Sequence, residues 1–129
     1  MIVVDSSALV AILLGEPEAD RFSDCVGDDG APHASAVTLF ETRVVLSFRG
    51  GEKVRELEEW LRVAKMMPVA FDERQSDLAF DAYRRYGKGN HPAGLNLADC
   101  AAYALARSLD APLLFKGDDF ARTDVRRAL

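Results

Sequence analysis

The stretch that decides the fold is Ile2-Val3-Val4-Asp5-Ser6-Ser7, close to the start of the chain. Three consecutive β-branched residues are typical of a short buried strand. Asp5 ends that strand, and Ser6 and Ser7 can cap a helix that continues to about Leu14. The stretch therefore predicts a strand that runs directly into a helix.

The rest of the chain repeats this alternation of strand and helix. Further strands are predicted at 33–35, 68–71 and 112–115, and helices at 18–26, 36–49, 52–65, 73–86 and 97–109. Strands that alternate with helices pair in parallel through right-handed crossovers. We therefore expect an α/β fold: one three-layer domain over residues 1–129, with a parallel sheet of about four strands flanked by helices.

Composition sets limits on the kind of protein. Hydrophobic residues make up 49% of the 129 residues and charged residues 29%, which excludes a disordered or low-complexity chain. The formal charge of −5 argues against a protein that coats nucleic acid by bulk charge. No apolar run approaches the ~20 residues of a membrane-spanning helix, and no signal peptide is visible. We expect a cytoplasmic protein without membrane contact, and reduced, buried cysteines at Cys25 and Cys100.

Acidic residues follow two strands that should be neighbours in the sheet. Asp5 ends the first strand, and Asp118 and Asp119 follow the last strand. The carboxyl ends of parallel strands form the crevice where ligands bind. Two simpler explanations stay open: Asp5 can cap the following helix, and the Asp118-Asp119 pair can belong to a turn.

A third acid lies on the predicted 36–49 helix. At about 100° per residue, one side of that helix carries a mostly apolar set that we expect to face the core: Val37, Glu41, Val44, Val45 and Phe48. A buried Glu41 carboxylate needs a partner or a metal ion. The alternative is a buried ion pair with Arg43 or Arg49, although both arginines fall on other sides of the helix.

A fourth acid, Asp99, lies in the first turn of the 97–109 helix, which is apolar almost all round and should be buried. Asp99 can instead form a capping pair with Asn96 or favour the helix dipole.

Carboxylates gathered from these four positions would repel one another, and a hard divalent cation would neutralise them. Mg²⁺ fits, because it can bind a phosphodiester oxygen and activate a water molecule.

Together with the segments around them, these acids make the sequence resemble the PIN domain family, and within it the VapC-type toxins of bacterial toxin–antitoxin pairs. The resemblance spans nearly the whole chain, and its specificity comes from the order of short segments: Ile2–Leu9, Ser35–Glu41, Gly87–Ala93, Leu95–Cys100, Tyr103–Ala106 and Leu113–Phe120.

The resemblance implies a Mg²⁺- or Mn²⁺-dependent endoribonuclease that hydrolyses RNA with a metal-activated water. The family's roles carry over to Asp5, Glu41 and Asp99 as catalytic acids that bind the metal or support it. The fourth acid is Asp118 or Asp119, of which Asp118 is taken as a metal ligand. Supporting roles are expected for two hydroxyl residues, Ser7 and Thr38.

The resemblance also implies partners. These are a VapB-type antitoxin, for which the charged 52–65 helix could border a groove, and a second copy of the chain in a homodimer or in a hetero-oligomer with the antitoxin. The candidate contacts to RNA phosphates are basic or imidazole side chains: Arg43, Lys88, His91 and Lys116.

Other functions fit the sequence less well. A phosphatase of the haloacid-dehalogenase type needs a second Asp two residues after the first, where this chain has Ser7. A receiver domain needs an acceptor Asp near mid-chain, where this chain has a charged helix. A PIN-like module kept for protein interaction alone, or a nuclease acting on DNA, stays open.

Overall fold

Four short strands build the sheet in the computed structural model, which describes all residues 1–129. The strands are β1 (Ile2–Val4), β2 (Pro32–Ser35), β3 (Met67–Val69) and β4 (Leu113–Leu114). Six helices cover it: α1 (Ser6–Leu13), α2 (Ala19–Asp29), α3 (Ala36–Ser47), α4 (Gly51–Val63), α5 (Glu73–Tyr86) and α6 (Leu97–Leu109). None of them is long and apolar enough to span a membrane.

The sheet is parallel throughout, in the order β3-β2-β1-β4. β1 lies at its centre, where Val3 is in register with His33 of β2 and with Leu113 of β4. All four strands therefore end at the same edge of the sheet. This arrangement confirms the predicted α/β fold with a four-stranded parallel sheet between helices.

The side chains of β1 alternate between two hydrophobic cores. Val3 packs into the core beneath α5 and α6. Ile2 and Val4 point the other way, into the core beneath α1 to α4. A strand buried on both faces must be apolar at every position, which is why the run of β-branched residues predicts it so well.

Several element boundaries differ from the prediction. α2 continues to Asp29 instead of ending near residue 26, and Gly30 ends it in the left-handed conformation (φ 72°). β3 begins at Met67 rather than at residue 68, and Pro68 is tolerated because β3 is an edge strand. β4 is only two residues long, since the Lys116 N–H donates to a side chain rather than to a neighbouring strand.

The predicted core-facing side of α3 is wrong. The buried residues of α3 are Thr38, Leu39, Thr42 and Leu46. The Thr42 hydroxyl donates to the Thr38 carbonyl oxygen (2.7 Å), so the helix can bury this threonine without leaving its hydroxyl unpaired. The apolar residues of the other side are left on the surface, and Phe48 is 84% exposed.

Both cysteines are free, as expected, although Cys25 is only partly buried.

The end of the chain closes the sheet beside β4. The Leu113 N–H donates to the Arg126 carbonyl oxygen (2.8 Å), and the Ala128 N–H donates to the Leu113 carbonyl oxygen (2.9 Å). These bonds hold the segment that follows the last strand against the edge of the sheet.

Candidate active site

Asp5 lies where β1 becomes α1, and it is both the helix cap and a buried acid. Its side chain is 3% exposed. The Ser7 hydroxyl donates to Oδ2 (2.6 Å), and the Ser7 backbone N–H donates to the same atom (3.0 Å). Burial raises the pKa of Asp5 above its usual value, although the two bonds from Ser7 act to lower it. The charge of Glu41 adds to the rise. Asp5 therefore caps α1 and at the same time lies at the carboxyl end of β1.

Ser7 links the Asp5 carboxylate to the end of β4. Its Oγ donates to Asp5 and accepts a hydrogen bond from the Lys116 backbone N–H (3.0 Å). Because one hydroxyl serves both groups, the segment after the last strand is fixed relative to the acid that ends the first.

Glu41 lies at the border of the site rather than in the core. It is half-buried on α3, and the Ser6 hydroxyl donates to its Oε1 (2.5 Å). Neither Arg43 nor Arg49 pairs with it, so the alternative of a buried ion pair is also wrong. Ser6 was predicted only as a helix cap, and the pair of adjacent hydroxyl residues after Asp5 is the sequence signal for this second role.

Asp99 is part of a capping box at the start of α6. The Asn96 N–H donates to Asp99 Oδ2 (3.0 Å), and the Asp99 N–H donates to Asn96 Oδ1 (2.9 Å). Burial nevertheless raises the pKa of Asp99 to about 7, and the negative charges of Asp5, Glu41 and Asp119 contribute to the rise. Acids from four separate segments therefore act on one another.

The two acids after β4 differ in their relation to this cluster. Both are exposed. Asp119 is among the main charges that raise the pKa of Asp99, whereas Asp118 is not among them. Asp119 is therefore near enough for its charge to act on Asp99, and we group it with the other three acids as the acid cluster: Asp5, Glu41, Asp99 and Asp119.

No basic side chain neutralises the acid cluster. None of its four members forms an ion pair with a lysine or arginine. Uncompensated carboxylate oxygens are the donors that Mg²⁺ and Mn²⁺ prefer. No three acids are close enough to form a complete metal site by themselves. The donor set suits a cation that keeps several water ligands and takes only one or two carboxylates directly.

Two of the four candidate RNA contacts are engaged elsewhere. Arg43 donates to both carboxylate oxygens of Glu58 (2.6 and 3.3 Å). Lys116 Nζ lies 2.8 Å from Glu16 Oε2 and 2.9 Å from Glu18 Oε2. These side chains face α4 and the turn after α1, not the acid cluster.

The other two candidates, Lys88 and His91, lie on the loop between α5 and α6, which leads into the capping box of Asp99. Thr38, proposed as a supporting residue, is buried, and its hydroxyl has no hydrogen-bond partner. Its backbone carbonyl oxygen accepts the bond from Thr42, and no bond joins it to Glu41.

Comparison with known proteins identifies the class. The family model of the PIN domain matches residues 2–126, and the chain belongs to the PIN domain family. A ribonuclease VapC of Mycolicibacterium smegmatis is 51% identical over 124 residues, which cover 95% of this chain and 96% of that protein.

Two solved structures share the fold at only 15% sequence identity. The first is VapC20 of Mycobacterium tuberculosis, described as a sarcin-ricin loop cleaving toxin, with a TM-score of 0.75 over 97% of this chain and 96% of that chain. The second is a toxin-antitoxin complex from Klebsiella pneumoniae, with a TM-score of 0.72 over 96% of this chain and 93% of that chain.

Proposed function

We propose that this protein is a Mg²⁺- or Mn²⁺-dependent endoribonuclease and the toxin of a VapBC-type toxin–antitoxin pair. One observation carries the proposal: four carboxylates from distant parts of the chain lie without a basic partner, and burial, together with the charges of the other three, raises the pKa of Asp99 to about 7. Such a cluster is unfavourable for stability, so it is expected where a cation or a reaction requires it. The name of the M. smegmatis relative supports the same activity.

Asp5 and Asp99 are the ligands we propose for the cation, because they are the two acids of the cluster whose pKa is raised by burial. Glu41 is half-buried and Asp119 is exposed, and both can bind the cation's water ligands. A bound divalent cation would polarise a phosphodiester oxygen and lower the pKa of an attacking water. The chain's own contribution is orientation: Ser7 fixes the Asp5 carboxylate, and Ser6 fixes that of Glu41.

The test of this function is cleavage of single-stranded RNA by the purified protein. We expect cleavage with Mg²⁺ or Mn²⁺, none with a chelator, and none by the Asp5→Asn variant. Asp20→Asn is the matched control, because Asp20 is an exposed acid in the first turn of α2. Products should carry 5′-phosphate and 3′-hydroxyl ends.

Three results would contradict this function. Chelator-resistant cleavage would exclude a metal-dependent nuclease, and 2′,3′-cyclic phosphate products would exclude attack by water. Metal-dependent cleavage of DNA in preference to RNA would favour a nuclease that acts on DNA over a ribonuclease.

A groove between α1 and α4 supports the antitoxin as a partner. It has a volume of about 670 Å³. Its apolar lining comes from Ile12, Leu13, Trp60 and Val63, and its charged lining from three acids and one base: Glu52, Glu56, Glu59 and Arg55. An amphipathic segment with apolar and basic side chains is complementary to such a surface. We expect Trp60→Ala to weaken the complex with the cognate antitoxin in a titration; an unchanged affinity would exclude this groove.

A second apolar surface supports the homodimer. It includes Phe80 (64% exposed) on α5 and Leu97 (79%) on α6, which line a groove of about 580 Å³ with almost no polar lining. Phe40 (68%) on α3 lies one helical turn after Val37, which lines the same groove. A mostly apolar surface can pair with its own copy across a twofold axis with little repulsion between like charges. We expect Phe80→Asp to convert a dimer to a monomer in light scattering; a wild-type monomer would exclude the dimer.

A further inference from the structure

The loop between α5 and α6 is held in one conformation next to the acid cluster. The Lys88 N–H donates to the Leu95 carbonyl oxygen (2.9 Å), and the Leu95 N–H donates to the Tyr86 carbonyl oxygen (2.9 Å). These bonds close the loop 87–94 at its base. The chain then enters the capping box of Asp99, so the position of the loop is fixed relative to that acid.

Arg122 ties this loop to the segment that carries Asp119. It lies in a short 3₁₀ turn (Phe120–Arg122) that begins directly after Asp119. Its guanidinium donates to the Pro92 carbonyl oxygen (3.1 Å). Unlike Arg43 and Lys116, Arg122 forms no ion pair with any acid of the chain. Its charge is therefore uncompensated, on the turn that directly follows Asp119.

The loop adds two more groups that can donate hydrogen bonds to an anion. Lys88 is exposed and forms no ion pair. His91 Nδ1 accepts the Ala93 N–H (3.0 Å), so a neutral His91 ring carries its proton on Nε2. The ring also packs edge-on against Tyr86, with 5.1 Å between ring centroids. Its orientation is therefore fixed by two contacts.

We propose that Arg122, Lys88 and His91 form a phosphate-binding rim that holds the RNA backbone beside the acid cluster; this proposal rests on the proposed ribonuclease function. RNA must bring phosphates towards four carboxylates, which repel them. Cationic and N–H donors at the border of the cluster offset that repulsion and position the backbone. Arg122 is the central group, because it lies on the segment that follows Asp119 and its side chain bonds to the loop.

The rim is tested by the affinity for a fluorescent single-stranded RNA oligonucleotide, measured by anisotropy in a chelator so that cleavage cannot occur. The salt dependence of the affinity reports the number of phosphates neutralised. For single strands, the logarithm of the affinity falls against the logarithm of the salt concentration with a slope of about 0.7 for each neutralised phosphate. We expect Arg122→Gln to weaken binding several-fold and to reduce this slope by about 0.7. Arg122→Lys should keep the slope, because it keeps the charge.

The matched control is Arg74→Gln, which removes an exposed, unpaired arginine at the other end of α5. It should leave affinity and slope unchanged. In the presence of Mg²⁺, Arg122→Gln should raise KM and leave kcat near the wild-type value. If Arg122→Gln and Arg122→Lys lower the affinity equally with an unchanged slope, Arg122 acts only through its bond to Pro92, and the rim is refuted.

The outcomes separate this proposal from the one on which it rests. Wild-type protein that cleaves RNA with Mg²⁺, together with an Arg122→Gln variant of unchanged affinity and KM, refutes the rim alone. Wild-type protein that binds RNA through Arg122 but never cleaves it refutes the ribonuclease and leaves the rim as a binding surface. Wild-type protein that neither binds nor cleaves RNA refutes both.

Discussion

Replacing Asp99 by asparagine should stabilise the metal-free protein at pH 8. The pKa of Asp99 is raised from 3.8 to about 7 by burial and by the neighbouring acids. A folded protein with such a group binds a proton that the unfolded chain releases, so the contribution of Asp99 to stability is complete below pH 3.8 and is lost as the pH rises to about 7. Asparagine carries no charge and avoids this loss.

The magnitude follows from the two pKa values. A shift from 3.8 to about 7 corresponds to about 4 kcal/mol. Asp99 is partly exposed, and solvent screening reduces the expected gain of Asp99→Asn to about 2 kcal/mol at pH 8. The asparagine Oδ1 can still accept the Asn96 N–H, so the capping box is preserved. At pH 4 the variant and the wild type should have similar stability.

The assay is urea denaturation of chelator-treated protein at pH 4 and pH 8. Asp20→Asn is the control, since it removes an exposed first-turn acid and should cost only a few tenths of a kcal/mol at either pH. Added Mg²⁺ should stabilise the wild type and have little effect on Asp99→Asn. A variant that is no more stable than the wild type at pH 8 would refute the claim that Asp99 lies among uncompensated charges.

Further predictions concern Ser7 and two glycines. Ser7→Ala removes the hydroxyl that donates to the buried Asp5 carboxylate, and it should lower the free energy of unfolding by about 1–2 kcal/mol; denaturation at pH 8 measures this, and no change would show that the bond is dispensable. Gly87→Ala should destabilise by about 2 kcal/mol or more, because a Cβ there would lie 2.3 Å from the Tyr83 carbonyl oxygen. Gly27→Ala, its control within α2, has no atom within 4 Å of the new Cβ and should stabilise by about 0.5–1 kcal/mol. Equal effects of the two glycine variants would contradict the described packing of Gly87.

The sequence predicted those parts of the fold that depend on local patterns. The first strand follows from three β-branched residues that must each be buried, and α6 from an apolar run between Asn96 and Asp110 that the structure bounds at Leu97–Leu109. The buried side of α3 could not be predicted. Apolar residues do recur at helical spacing along α3. However, the helix can bury Thr42 because its hydroxyl bonds back to the Thr38 carbonyl oxygen, and the more apolar side is left on the surface.

The sequence predicted which acids form the candidate site, but it did not predict which residues contact them. Positions at strand ends and helix starts identified Asp5 and Asp99, since parallel topology brings those ends together. The choice between Asp118 and Asp119 depends on how the chain turns after β4, which no local pattern specifies. Arg122 was missed for the same reason, because its partner, the Pro92 carbonyl oxygen, lies 30 positions away along the chain.

Calorimetric titration of Mn²⁺ into the chelator-treated protein tests most directly whether the acid cluster binds a divalent cation. We expect saturable binding by the wild type and by Asp20→Asn, and loss of that binding in both Asp5→Asn and Asp99→Asn. A folded wild type that binds no Mn²⁺, or an Asp99→Asn variant that binds it with wild-type affinity, would contradict a cation site at these residues.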